Sequence, residues 1–206
     1  MKRFFSFIML CSACFVGLQA QHIEYKWHGI YVEADYAYML NVNRINEDDE
    51  FLTHMPNYNP YPDKVNFNGF SAVCGFQFRK EVGVGLGFNY LNDPTGAFSQ
   101  IPLFIELRSH YLPSRLSPYT AIQAGYSIPM KTTNGGSSAI TVKEGGVSFA
   151  LLAGGRFAVT RRFGINAFVG YHILMMNKVE HNFNGVCAER TSILLHNIKF
   201  GVGLNF

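Results

Sequence analysis

Residues 197–206, NIKFGVGLNF, carry an alternating pattern that decides the fold class. One parity is entirely apolar and consists of Ile198, Phe200, Val202, Leu204 and Phe206. Successive side chains of a β-strand point to opposite faces, so this pattern predicts a strand with one apolar face. The ends of soluble domains usually fray and are polar. An apolar strand at this position therefore predicts that the last residues are needed for the structure.

The same alternation recurs through most of the chain, which has 48% hydrophobic residues, 15% aromatic residues and 20 glycines. It predicts an all-β protein. No membrane-spanning helix is expected, because no run of about 18 apolar residues occurs after residue 20. The predicted strands are Gly29–Asn41, Asn66–Arg79, Val82–Asn92, Gln100–Leu112, Ser117–Ile128, Gly146–Val159, Phe163–Leu174 and Thr191–Phe206.

Long and short connections alternate between these eight strands. Short turns follow Arg79, Leu112 and Val159, whereas longer loops cover Val42–Val65, Asp93–Ser99, Pro129–Gly145 and Met175–Arg190. Short periplasmic turns, longer outer loops and an even number of strands are typical of an up-and-down barrel in an outer membrane. We therefore predict an eight-stranded antiparallel transmembrane β-barrel. A soluble β-sandwich is the alternative, but it leaves the charged, glycine-rich second face unexplained.

The first 20 residues have the pattern of an export signal. A basic start at Lys2 and Arg3 is followed by an apolar stretch and by Leu18-Gln19-Ala20 as a cleavage site. We predict a cleaved signal peptide at 1–20 and a barrel domain at 21–206. A lipoprotein acceptor at Cys14 is the alternative, but Cys11 stands where that motif has an apolar residue. The nearly balanced charge of the remaining chain argues against nucleic acid as a partner.

Charged residues occupy the parity opposite the apolar one. Six of them lie about four to eight positions from the predicted periplasmic ends: Glu33, Asp35, Glu106, Arg108, Arg156 and Lys199. Side chains fill the interior of an eight-stranded barrel, so we predict that these acids and bases pair in one belt. The belt has two interpretations. It is either a gate or proton path, or a polar plug that holds the barrel together.

The end of the chain resembles the assembly signal of outer-membrane β-barrel proteins. Lys199, Gly201, Leu204 and Phe206 occupy the polar, glycine, apolar and terminal aromatic places of that signal, although an aromatic residue often replaces the aliphatic one. The chain as a whole resembles small barrels of the OmpA transmembrane or OmpX type, and Ile101–Arg108 resembles porin-like families. The resemblance implies an outer-membrane location, recognition by the barrel-insertion machinery, and closure by pairing of the last strand with the first.

Three functions remain open at this stage. The first is a non-catalytic barrel with a plugged lumen that supports envelope integrity or binds a surface ligand through outer loops, such as the one with residues 55–62. The second is a lipid A-modifying enzyme, which the spacing of His196 from Ser192 disfavours because four residues span about 13 Å of strand. The third is a narrow porin for small solutes.

The remaining expectations concern partners and cofactors. We expect contact with membrane lipid and lipopolysaccharide, a monomeric state, and no cofactor or metal. The acidic run Glu47–Glu50 lacks the spacing of a calcium loop. Cys74 faces lipid and Cys187 lies in an outer loop, so both are expected to be free thiols.

Overall fold

The computed structural model describes residues 28–43, 64–94, 98–130, 138–160, 162–183 and 186–206, with 138–141, 180–183 and 186–191 described by their backbone. The predicted signal peptide, the acidic run 47–50 and the segment 55–62 lie outside this part of the chain. The strands are β1 (Gly29–Asn41), β2 (Phe67–Arg79), β3 (Val82–Asn92), β4 (Gln100–His110), β5 (Leu116–Pro129), β6 (Ser138–Glu144), β7 (Gly146–Ala158), β8 (Gly164–Phe183) and β9 (Val186–Asn205).

Eight of these strands close into an antiparallel barrel. Their order around it is β8, β7, β5, β4, β3, β2, β1 and β9, and β9 returns to pair with β8. The closure between first and last strand extends to Phe206, whose N–H donates to the carbonyl of Val32 at 2.8 Å. Closure leaves no unpaired sheet edge around the barrel, and this is how strands cross a membrane. The predicted fold class and the predicted pairing of the last strand with the first are confirmed.

Two predicted outer loops contain strands among their described residues, and this corrects the sequence prediction. The segment predicted as a loop at Pro129–Gly145 contains β6, which pairs with the far part of β8 from Ser138↔Phe183 to Glu144↔Asn177. The segment predicted as a loop at Met175–Arg190 consists of the far halves of β8 and β9, which pair as far as Phe183↔Val186. Strict alternation fails here because the inward parity changes across Lys178, which has a positive φ of 47°.

A band of exposed apolar side chains surrounds the barrel, whereas β6 and the far half of β8 expose Lys143, Glu144 and Lys178. Ile30, Leu86, Ile105 and Val202 are among its exposed residues, with exposed fractions of 77, 67, 55 and 58%. An apolar band of this kind is stable when lipid covers it, because large exposed apolar surfaces are rare on soluble monomers. Among the described residues, no helix has the length and hydrophobicity needed to cross a membrane.

Candidate functional site in the barrel lumen

Arg108 on β4 is the centre of a buried polar cluster in the lumen. Both of its terminal nitrogens donate to the carboxylate of Glu33 on β1, with Nη2 at 2.5 Å from Oε1. Nη2 also lies 2.9 Å from Oε1 of Glu106. Because β2 and β3 separate β1 from β4 in the barrel, the bond to Glu33 crosses the lumen rather than joining neighbouring strands.

Two tyrosine rings enclose the guanidinium of Arg108. Its Cζ lies 5.5 Å from the ring centroid of Tyr31 and 4.8 Å from that of Tyr119. These cation–π contacts are strongest when water is excluded. The ring of Tyr31 has room because Gly75 and Gly85 lie beneath it, where a Cβ atom would come within 2.5 and 2.6 Å of that side chain.

Neutral side chains complete the hydrogen bonding of the two acids. Gln123 donates to Oε2 of Glu106 at 2.8 Å, and Asn205 donates to Oε2 of Glu33 at 3.1 Å. Glu33, Glu106 and Arg108 are each less than 5% exposed. Both acids are therefore paired and hydrogen-bonded, as buried charges require, whereas Nε of Arg108 has no hydrogen-bond partner among the described residues.

The other three residues of the predicted belt have different surroundings. Asp35 accepts hydrogen bonds at 3.1 Å from Ser71 and from Asn166. The ammonium of Lys199 lies 5.6 Å from the ring centroid of Phe168, and no carboxylate of the described residues is within 4.0 Å of it.

Arg156 is buried on the lumen face of β7. Its Nε lies close to Gly164, where an added Cβ atom would be 2.9 Å away. Arg108 therefore contacts two of the three predicted acids. Lys199 lies outside these ion pairs in the described part of the lumen.

The lumen near the outer end is filled by apolar side chains, and this corrects the expectation of a charged, glycine-rich inward face. The cluster, called the apolar layer below, consists of Met39, Val65, Phe67, Leu91, Phe98, Val142, Leu174, Met176, Val179, Ile193 and Leu195. All are at most 5% exposed. Most of these residues occupy the same alternating positions as the inward-facing polar residues nearer the other end of their strands. This shared parity would have predicted that they face the lumen, and it is the signal that sequence reasoning missed.

Polar pairs lie between the Arg108 cluster and the apolar layer. Ser148 Oγ is 2.9 Å from Nε2 of His172, a distance that suits a nucleophile and its base. Nδ1 of His172, however, has no hydrogen-bond partner in the described structure, and both side chains are buried. The pair therefore has neither an orienting acid among the described residues nor access to a substrate.

The lipid-facing histidine considered for catalysis has a tyrosine as its partner. Nδ1 of His196 lies 2.7 Å from the hydroxyl of Tyr171 on the neighbouring strand. Cys74 is exposed and free, as expected for a lipid-facing thiol. Within the described part of the chain, no group of three or more His, Cys, Asp or Glu side chains is arranged to hold a metal ion.

The four residues of the predicted assembly signal divide between the two faces of β9. Lys199 and Gly201 face the lumen, where a Cβ atom at Gly201 would lie 2.6 Å from the ring of Phe168. Leu204 and Phe206 face outward, and the ring of Phe206 packs against Phe163 at a centroid distance of 5.2 Å. The small residue on this strand thus has a packing reason in the folded barrel itself.

Comparison with known proteins places this geometry among solved barrels. No family model matches the chain, and no curated protein matches it. Neisserial surface protein A is similar, with a TM-score of 0.57 and 14% identity over 85% of this chain and 95% of that one. The chain folds as a small outer-membrane β-barrel. The outer membrane protein OprG from Pseudomonas aeruginosa is also similar, with a TM-score of 0.55 and 12% identity over 89% of this chain and 99% of that one.

Proposed function

We propose that this protein is a non-catalytic barrel of the outer membrane, with a lumen plugged by side chains, that contributes to envelope integrity or to surface binding through its outer end. The observation that carries the proposal is that two successive groups of buried side chains fill the lumen. Arg108 and its partners fill the part nearer the short turns, and the apolar layer fills the outer part.

A solute crossing this lumen would meet two different barriers. Separating Arg108 from Glu33 and Glu106 would leave charges unpaired in a site away from water, which costs about 3 to 5 kcal/mol for a buried pair. The apolar layer offers no polar atoms to replace the hydration of an ion, so entry of a charge there is also unfavourable. These barriers favour a plug over a narrow porin.

Conductance of the purified protein in planar bilayers tests the plug. We expect no stepwise current from the wild type. The double variant Leu174→Ala/Leu195→Ala opens space in the apolar layer and is expected to give brief openings. Leu151→Ala/Leu194→Ala removes the same side-chain atoms from the lipid face and is the matched control. Steady stepwise current from the wild type would contradict the plug and favour the porin.

The outer end offers a rigid surface for contacts outside the membrane. The nine residues 175–183 of β8 extend past its pairing with β7, which ends at Leu174, and they span about 30 Å as a strand. β6 and the far half of β9 pair on either side of them. Binding functions are commonly carried at the ends of such rigid scaffolds.

Complementation of a deletion strain tests this surface role. Cells lacking the protein should show increased detergent sensitivity or reduced surface attachment, and the wild type should restore both. A variant with residues 44–63 and 131–137 replaced by Gly-Ser linkers of equal length separates loop binding from a role of the barrel alone. A deletion without either defect would contradict the proposal.

Lipid A from the same strains tests the catalytic alternative. Identical mass spectra with and without the protein are expected, because the Ser148–His172 pair is enclosed in the lumen. A changed acyl chain or headgroup that depends on the protein would establish an enzyme instead.

Assembly through Lys199, Gly201, Leu204 and Phe206 is part of the same proposal. We expect insertion by the barrel-insertion machinery and a monomer surrounded by phospholipid and lipopolysaccharide. Phe206→Ala should lower the amount of folded barrel recovered from cells, measured by heat-modifiable migration on a gel. Phe200→Ala on the same face of β9 is the control, and an equal loss from both variants would contradict a specific terminal signal.

A further inference from the structure

Basic residues occupy all three short turns at the end of the barrel that holds Phe206. The β2–β3 turn carries Arg79 and Lys80, the β4–β5 turn carries Arg115, and the β7–β8 turn carries Arg162. Among the described residues of these turns, Glu81 is the one acidic side chain. We call the four basic residues the basic rim.

The side chain of Arg115 is fixed by contacts at one side of its guanidinium, and its two terminal nitrogens can still donate hydrogen bonds to a ligand. Its Cζ lies 4.7 Å from the ring centroid of Phe157, and its Nε donates to the carbonyl of Ala158 at 3.0 Å. The carbonyl of Arg115 accepts from the N–H of Ala158 at 2.8 Å, which fixes the turn. Its two terminal nitrogens have no acceptor among the described residues and lie beside a ring on the lipid-facing parity of β7.

The β2–β3 turn directs its charges outward. A register shift between Gln77 and Arg79 interrupts the ladder, and Arg79 is exposed although Gln77, two residues earlier, is buried. Bulges at strand ends re-aim side chains in this way. The N–H of His110 donates to the carbonyl of Lys80 at 2.8 Å and anchors the turn to β4.

The acid of this turn is neutralised locally. Nζ of Lys80 lies 3.3 Å from Oε1 of Glu81, and both side chains are exposed. A backbone hydrogen bond lowers the pKa of Glu81, and the neighbouring Lys80 lowers it further. The acid is therefore ionised at neutral pH and offsets one of the four positive charges.

In the β7–β8 turn, the side-chain hydroxyl of Thr160 fixes the backbone at Arg162. Oγ1 of Thr160 accepts hydrogen bonds from the N–H groups of Arg162 at 3.3 Å and of Phe163 at 3.0 Å. The side chain of Arg162 is exposed. Each turn is thus fixed by its own hydrogen bonds, and its basic side chain extends from a defined position.

Exposed aromatic residues place the basic rim at the depth of lipid headgroups. Phe78, Tyr111 and Phe206 are 53, 54 and 57% exposed at the same end of the barrel. Aromatic girdles of outer-membrane barrels lie at the membrane interface. Phe78 directly precedes Arg79, and a strand advances about 3.3 Å per residue, so the cations lie within a few ångströms of the phosphate level.

We propose that the basic rim binds the phosphate groups of anionic phospholipids in the periplasmic leaflet. The inference rests on the proposed membrane location and on the short turns facing the periplasm. Charge complementarity identifies the occupant, because Arg presents paired N–H donors that match phosphate oxygens. Basic residues near a membrane surface attract anionic lipid strongly enough to bias lipid composition around a protein.

Native mass spectrometry of the detergent-purified protein with equal amounts of phosphatidylglycerol and phosphatidylcholine tests this proposal. The wild type should retain more phosphatidylglycerol, and added salt should weaken the preference. Arg79→Gln/Arg115→Gln/Arg162→Gln should lower the bound ratio by roughly fivefold per side chain at low ionic strength. Lys64→Gln/Lys143→Gln/Lys178→Gln removes the same charge from exposed residues at the outer end and should keep the wild-type ratio.

Several results would overturn the inference. They are equal binding of both lipids by the wild type, an unchanged ratio in the rim variant, or an equal loss in the outer-end variant. Displacement of the lipid by millimolar inorganic phosphate would assign the rim to the free anion. Loss of binding to purified cell-wall sacculi with an unchanged lipid ratio would assign it to the cell wall. Heat-modifiable migration of every variant tests the barrel separately, so failure of the rim and failure of the membrane fold are distinguishable.

Discussion

The two halves of the lumen are enclosed by the same strands but are filled in opposite ways. Near the short turns, Arg108 joins Glu33 and Glu106 across the barrel between two tyrosine rings. Near the outer end, eleven residues that include Met39 and Leu195 form a buried apolar layer. The difference teaches that alternation along a strand decides which side chains point inward, but it does not decide the chemistry of the interior.

The two fillings should also respond differently to substitution. Removing one member of a buried ion cluster leaves its partners charged and unpaired, whereas removing an apolar side chain leaves a cavity that neighbours partly fill. We therefore expect Arg108 to be a hub, a single residue on which the stability of the charged half depends. In the apolar half, we expect the contribution to stability to be spread over many side chains.

The largest expected effect is that of Arg108→Met. It leaves Glu33 and Glu106 without their cation and should lower the free energy of unfolding by about 3 to 5 kcal/mol. Denaturant unfolding in detergent micelles measures the change. Adding Glu33→Gln and Glu106→Gln should recover part of the loss. Arg79→Met, at an exposed position, is the control and should change stability by less than about 0.5 kcal/mol. A loss no greater than that of the control would mean that Arg108 is not a hub.

The next effect tests the apolar half through two adjacent leucines. Leu195→Ala removes a fully buried side chain from the apolar layer and should cost about 2 to 5 kcal/mol. Leu194→Ala, whose side chain is 45% exposed on the lipid face, creates no enclosed cavity and should cost much less. The same unfolding assay compares them. Equal losses would show that the outer half of the lumen is not tightly packed.

A smaller effect is expected where a glycine lies against a buried acid. A Cβ atom at Gly203 would lie 1.7 Å from Oδ1 of Asp35, so Gly203→Ala should destabilise the barrel by about 1 to 3 kcal/mol. Asp35→Ala in the same chain should remove most of that penalty. Gly155→Ala is the control, because its Cβ atom would meet nothing closer than 3.9 Å. A penalty that persists without the Asp35 carboxylate would place the strain at Asn166, whose Oδ1 would lie 2.6 Å from the same Cβ atom, or in the backbone of β9.

The smallest effect is expected for Lys199→Met. The cation–π contact with Phe168 contributes up to about 2 kcal/mol, but burial of the ammonium offsets it, so stability should change by less than about 1 kcal/mol. Unfolding and the amount of assembled barrel in cells should be measured together. A large destabilisation would mean that the ammonium has stronger lumen contacts than the ring, whereas reduced assembly at equal stability would support the signal role.

Much of the barrel could be predicted from alternation alone. The bounds predicted for Gly29–Asn41 and Val82–Asn92 are those observed, because both strands alternate strictly between lipid and lumen. Prediction failed where both parities carried apolar residues, as at Met176 in the far half of β8. The segment 138–144 lies in a predicted loop but forms β6, a short strand that extends β7 along β8 and is not one of the eight strands of the barrel wall.

The sequence by itself determined the eight strands of the barrel wall apart from the far halves of β8 and β9, the lipid-facing side and the inward position of Arg108, because a period of two residues is a local property of an extended chain. Only the closed tertiary structure decided that Arg108 meets Glu33 and that Tyr31 lies over Gly75 and Gly85. Those contacts depend on the register of all eight strands and on the narrow width that closure imposes. Local alternation contains neither quantity, so the interior could be fixed only by the barrel as a whole.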